Sequence, residues 1–89
     1  MKIENLIKAN SFSYEINNYN DFRNKILMDD VESITIEITH KNLSKNLAIF
    51  DNNNEEKENR FNLIRNNIQK SFSELIDVVK LEYEQLDNK

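Results

Sequence analysis

Few side chains in this 89-residue chain have the types and spacing that chemistry needs. His40 is the only histidine, beside Lys41 in a polar turn, and no serine or cysteine motif accompanies it. A histidine so placed is ordinarily a solvated one. Cysteine is absent, which removes both a disulfide framework and a thiolate zinc site. Glycine is absent too, and with it the phosphate-cradling loops that depend on glycine. Asp51-Asn52-Asn53-Asn54-Glu55 has the oxygen-rich start of a calcium loop, but Glu56 occupies the sixth position, where glycine is required, and Asn62 the twelfth, where a bidentate glutamate belongs. We therefore expect no metal, no cofactor and no catalytic residue.

The carboxylates remain, and they fall into three groups. Asp29, Asp30 and Glu32 precede an apolar alternating run; Asp51, Glu55, Glu56 and Glu58 surround the start of a long amphipathic segment; Glu82, Glu84 and Asp87 lie near the end. One reading is solvated surface with compensation of the helix dipole. The sharper reading makes the first two groups a negative patch that meets a basic surface on another protein, acting mainly through steering and specificity. Lys57, Arg60 and Arg65 are interspersed and dilute that patch. The net charge of −4 opposes nonspecific binding to nucleic acid or to anionic lipid, both of which need a basic face.

The element that must position these groups is the last third of the chain. Phe61, Ile64, Ile68, Phe72, Leu75, Val79, Tyr83 and Leu86 recur at steps of three and four residues, which predicts one helix over residues 55–86. Its eleven-residue repeat, close to the natural helical period, favours a nearly straight helix. Asn53 or Asn54 can cap it, and Glu55, Glu56 and Glu58 suit the positive end of its dipole.

Before it, Ile34, Ile36 and Ile38 alternate with Thr35, Glu37 and Thr39, the period of a half-buried strand. A polar turn over residues 40–45 returns the chain through Leu47, Ile49 and Phe50 as an antiparallel partner. Phe12, Tyr14 and Ile16 show the same alternation and predict a further strand, preceded over residues 1–9 by a short helix or an edge strand. Asn18 can cap a helix carrying Phe22, Ile26 and Leu27 that ends near Asp29 and Asp30. The expected fold is α+β: a single domain over residues 1–89, in the order α-β-α-β-β-α, with a three-stranded, mainly antiparallel sheet packed on helices.

Asparagine occurs sixteen times and glycine and proline not at all, the codon signature of an AT-rich genome, a bacterium's or its virus's. Turns that need positive φ then fall to asparagine, with Asn17, Asn18, Asn42 and Asn52 to Asn54 well placed. No apolar stretch approaches a membrane span or a signal peptide, so a cytoplasmic protein is expected.

A helix of this length runs to about 48 Å, against about 20 Å for a six-residue strand. It outruns its sheet. Either it breaks near Asn66 and Asn67 and folds back, or another chain covers its end; in the second case Phe72, Leu75, Ile76, Val79, Tyr83 and Leu86 are the candidate homodimer interface.

The opening Met1-Lys2-Ile3-Glu4-Asn5-Leu6-Ile7-Lys8, the run Ser33-Ile34-Thr35 into a hairpin, and the acidic entry to an amphipathic helix together resemble a small acidic phage inhibitor of Cas9, an anti-CRISPR protein. The resemblance implies acidic side chains occupying the basic site that reads the PAM duplex. Asp51, Glu55 and Glu56 lie in the part that aligns. The chain departs from that pattern in the helix expected over residues 18–29 and in its single long final helix. The function expected is thus a non-enzymatic, phage-encoded inhibitor of a nucleic-acid-processing effector, with a homo-oligomeric assembly protein, or an immunity or antitoxin protein, as alternatives.

Overall fold

The computed structural model describes residues 2–86. Four elements follow one another: α1 (Ile3–Lys25), β1 (Ser33–Thr39), β2 (Lys45–Asp51) and α2 (Glu55–Leu86). The order is therefore α-β-β-α with a two-stranded antiparallel sheet, which corrects the expected three strands and six elements.

The error lies in α1. Phe12, Tyr14 and Ile16 belong to one unbroken helix, and Tyr14 is 74% exposed. The pattern that decides the matter is Asn5, Ala9, Phe12, Ile16, Tyr19 and Arg23, spaced four and three residues apart, all of them buried or half-buried on one face. Phe12 and Ile16 fit either period; Ala9 and Tyr19 fit only the helical one. With neither proline nor glycine to interrupt it, the helix runs through Asn17 and Asn18 and stops at Lys25, short of Asp29 and Asp30.

α2 is one helix across Asn66 and Asn67. Asn54 caps it, its Oδ1 accepting the Lys57 amide at 2.9 Å while its carbonyl accepts that of Glu58. Its apolar stripe has two occupants. Phe61, Ile64 and Ile68 take the hairpin and the end of α1, in a cluster with Ile26 and Ile34 at its centre and Val31, Ile36 and Phe50 around them. The later stripe takes α1, which runs antiparallel to it: Phe72 stacks on Phe22 with ring centroids 4.5 Å apart and meets Tyr19 edge-on at 5.6 Å, and Ile76, Val79 and Leu86 are buried. The part of α2 that outruns the sheet is thus covered from within the chain.

In the hairpin, Ile34 pairs with Phe50, Ile36 with Ala48 and Ile38 with Asn46, all on one face. Burial fades along it: Ile34 is buried, Ile36 half-buried and Ile38 57% exposed, so only the base of the hairpin rests on α2. At the tip, the His40 amide donates to the Ser44 carbonyl and the Leu43 amide to that of His40. Positive φ falls on Leu43 (70°), the only such residue among those described, and not on an asparagine. Asn42 serves differently, its Oδ1 accepting from the Ser44 amide and hydroxyl.

Phe61, 1% exposed, joins all the elements that meet at the hairpin base. Phe61→Ala is expected to cost about 3–5 kcal/mol in urea unfolding, while Leu63→Ala, one turn face away and 66% exposed, changes stability by less than about 0.5 kcal/mol. Leu43→Asn, which relieves a left-handed leucine, is expected to raise the unfolding midpoint by the equivalent of about 1 kcal/mol.

Candidate functional site

Antiparallel pairing decides where the carboxylates stand. Ser33 at the start of β1 lies opposite Asp51 at the end of β2, so the chain enters and leaves the hairpin at one end. Asp29, Asp30 and Glu32 therefore flank the same base as Asp51 and the first turn of α2, with Glu55, Glu56 and Glu58. Two groups some twenty residues apart in sequence share one end of the molecule. The third does not join them: Glu82 and Glu84 stand six to seven turns along α2, about 36–40 Å from Glu58, and Asp87 lies outside the described residues.

All but Asp51 of these base carboxylates are exposed. Asp51 Oδ2 pairs with Lys57 Nζ at 3.7 Å and its Oδ1 accepts the Asn53 amide; Glu56 pairs with Arg60 at 2.8 Å, one turn on. Asp29, Asp30, Glu32, Glu55 and Glu58 have no ion pair among the described residues. Lys57 and Arg60 thus neutralise the middle of the site and leave its flanks negative.

Arg65 holds one of those flanks in place. It falls on the apolar stripe of α2, its guanidinium 5.1 Å from the centre of the Phe61 ring, and donates from Nε and Nη2 to the Ile26 carbonyl (3.0 and 2.7 Å) and from Nη2 to that of Met28 (2.9 Å). The Ile26 carbonyl lies just past the end of α1, and that of Met28 otherwise accepts only the Val31 amide at 3.4 Å, so one side chain ties down the turn that leaves α1 and fixes the approach to Asp29 and Asp30. A charge among Phe61, Ile64 and Ile68 is a visible irregularity in the sequence; the carbonyls it serves, nearly forty residues away, are not.

His40 stands at the opposite end of the hairpin, its ring hydrogen-bonded to Asn46 Oδ1. A seven-residue strand separates it from the base acids by about 20 Å, too far for imidazole and those carboxylates to act on one bond. Among the described residues no three His, Asp or Glu side chains are grouped as metal ligands, and no helix is long and apolar enough to cross a membrane.

Of the six side chains expected at a homodimer interface, Ile76, Val79 and Leu86 are buried within the chain and Phe72 packs on α1; Leu75 and Tyr83 sit at the rim, 42% and 37% exposed. Exposed apolar side chains also stand on Leu47 and Ile49 of β2, on Leu63, Val78 and Leu81 of α2, and on Ile3, Ile7 and Tyr14 of α1, beside a hollow between α1 and β1. A strand over residues 11–16 would set Tyr14 on the same face as Phe12 and Ile16, whereas on α1 it stands on the opposite side from them.

Comparison with protein-family models, with curated proteins and with solved structures finds no match for this chain.

Removing the Arg65 guanidinium takes both of its donors from the Ile26 carbonyl and leaves that of Met28 with the Val31 amide alone. Arg65→Ala is expected to cost about 1–3 kcal/mol and to speed amide exchange across residues 26–31, with slower exchange at the hairpin tip unaffected; Arg65→Lys restores only part, because an ammonium lacks the planar fork.

Proposed function

We propose that this protein acts by binding, as a non-catalytic inhibitor whose acidic end engages a basic surface on another protein. The observation that carries this reading is the strand register that brings Asp29, Asp30 and Glu32 to the same end as Asp51, Glu55 and Glu58. Carboxylates displayed in this way compete with nucleic-acid phosphates for the lysines and arginines of a nucleic-acid-processing protein. Rigid elements support the display: the acids lie on a helix start, a strand end and a loop tied down by Arg65, so little ordering entropy is lost on binding. The likeness to a phage inhibitor of Cas9 supplies a target class, with the PAM-reading site as the basic surface.

The test uses guide-loaded Cas9-type effectors and a PAM-bearing DNA duplex, with displacement of the duplex as the readout. The wild-type chain is expected to displace it. Reversing either half of the site, Asp29→Lys with Asp30→Lys or Glu55→Lys with Glu58→Lys, is expected to raise the inhibitory concentration by at least about tenfold at moderate salt. A double variant as inhibitory as wild type would show that the two acidic groups do not work together, and failure of the wild-type chain across the effectors would remove this target class.

A further inference from the structure

The chain leaves more surface in water than its size explains. A folded monomer of 10.6 kDa exposes about 5,500 Å², yet this one exposes 7217 Å². The surplus of roughly 1,700 Å² exceeds the about 800 Å² that one partner contributes to an interface of standard size. Its origin is the shape, 54 × 34 × 17 Å, in which α2 is covered along one stripe and every other element touches little else.

Part of that surface is organised. Ile3, Ile7 and Tyr14 are 76, 65 and 74% exposed, and together with Asn18, Asp21 and Lys25 they follow one another at steps of four, seven, four, three and four residues. Such spacing puts all six on one side of α1, opposite the side that packs on α2. Asn18, Asp21 and Lys25, the second half of this seam, form one wall of an open hollow of about 400 Å³ against the start of β1. Its apolar lining comes from Phe22, Ile26, Val31 and Ile34, and its rim carries the Asp21–Lys25 ion pair at 3.0 Å.

The seam is symmetric about Tyr14. Ile7 and Asp21 each lie seven residues from it, about 10 Å along the axis, and Ile3 and Lys25 each lie eleven, about 16 Å. Two copies of α1 laid antiparallel across a two-fold axis at Tyr14 therefore set Ile7 and Ile3 of each copy level with Asp21 and Lys25 of the other, the residues that wall the hollow. That is the self-complementary pattern an isologous interface requires.

We propose that the protein forms a two-fold homodimer in which Ile3 and Ile7 of each copy fill the hollow between α1 and β1 of the other, with Tyr14 at the axis. Each copy supplies both a knob and a socket, so the surface closes at two and builds no filament. The hollow adjoins Asp29, Asp30 and Glu32 through Val31 and Ser33, but the inference rests on the seam of α1 and not on any carboxylate of the acidic end.

Sedimentation of the full chain over a range of concentrations is expected to give a species of twice 10.6 kDa. Ile7→Glu is expected to weaken the dimer by at least about tenfold, with an unchanged circular dichroism spectrum since the side chain is exposed in the protomer. Leu81→Glu, equally exposed but on α2, leaves it intact. Because the chain has no cysteine, Tyr14→Cys provides a second test: mild oxidation is expected to give a disulfide-linked dimer, and Leu81→Cys none. A chain monomeric at every concentration overturns the proposal. So does a dimer that survives Ile7→Glu, or one in which Leu81→Cys crosslinks and Tyr14→Cys does not.

Discussion

Every element of this protein depends on one apolar stripe of one helix. α2 presents it without a break from Phe61 to Leu86, and the rest of the chain is arranged to cover it, the hairpin base over the first half and α1 over the second. Phe61 marks the join, where α1 ends, β1 begins and α2 is still in its second turn. Neither occupant is long enough alone: α1 has 23 residues against the 32 of α2, and the hairpin reaches only Ile64 and Ile68. The two therefore meet end to end, and their junction, where the chain turns out of α1 through Ile26 and Met28, is the point at which Arg65 is needed.

The elements that were legible in the sequence are those whose signals are local and undiluted. α2 is legible because eight apolar positions repeat one period over 32 residues, and the hairpin because three isoleucines alternate with threonine and glutamate before a short polar turn. α1 was not, for a physical reason: it carries apolar side chains on two sides, Ala9, Phe12 and Ile16 inward and Ile3, Ile7 and Tyr14 outward. A helix apolar on two sides gives no single moment, and within residues 12–16 the two sides superpose into an apparent alternation. The absence of glycine misleads in another way, since asparagine was the natural bearer of positive φ and the tip instead bends at Leu43, with Asn42 bracing the next residue.

The acidic residues show the same division between local and long-range information. That Glu55, Glu56 and Glu58 belong at a helix start follows from the dipole alone. Their neighbourhood with Asp29, Asp30 and Glu32 follows only from antiparallel pairing, which a short turn makes predictable, and from the register that sets Ser33 against Asp51. The pairing of Arg60 with Glu56, four residues apart on α2, follows from the helix alone, whereas that of Lys57 with Asp51 is less accessible, because it needs the exit angle of α2 from the sheet. It matters: the pairs concentrate unpaired negative charge on the flanks and make the end of the molecule more specific than a count of acids suggests.

The two-sidedness of α1 links the fold to its use. Seven buried apolar residues among those described make a small core for a chain of this size, and an outward stripe of isoleucine on its first helix adds nothing to it. Such side chains are easily replaced by polar ones in a solvated helix, and α1 has them elsewhere: Asn10, Ser13, Asn17 and Asn24 are exposed. Apolar groups kept to one seam, in line with a hollow whose floor is already apolar, have a ready thermodynamic role once that seam is shared. Burial there removes water from both sides at once, and it adds to the stability of a protomer whose own elements each cover a single face.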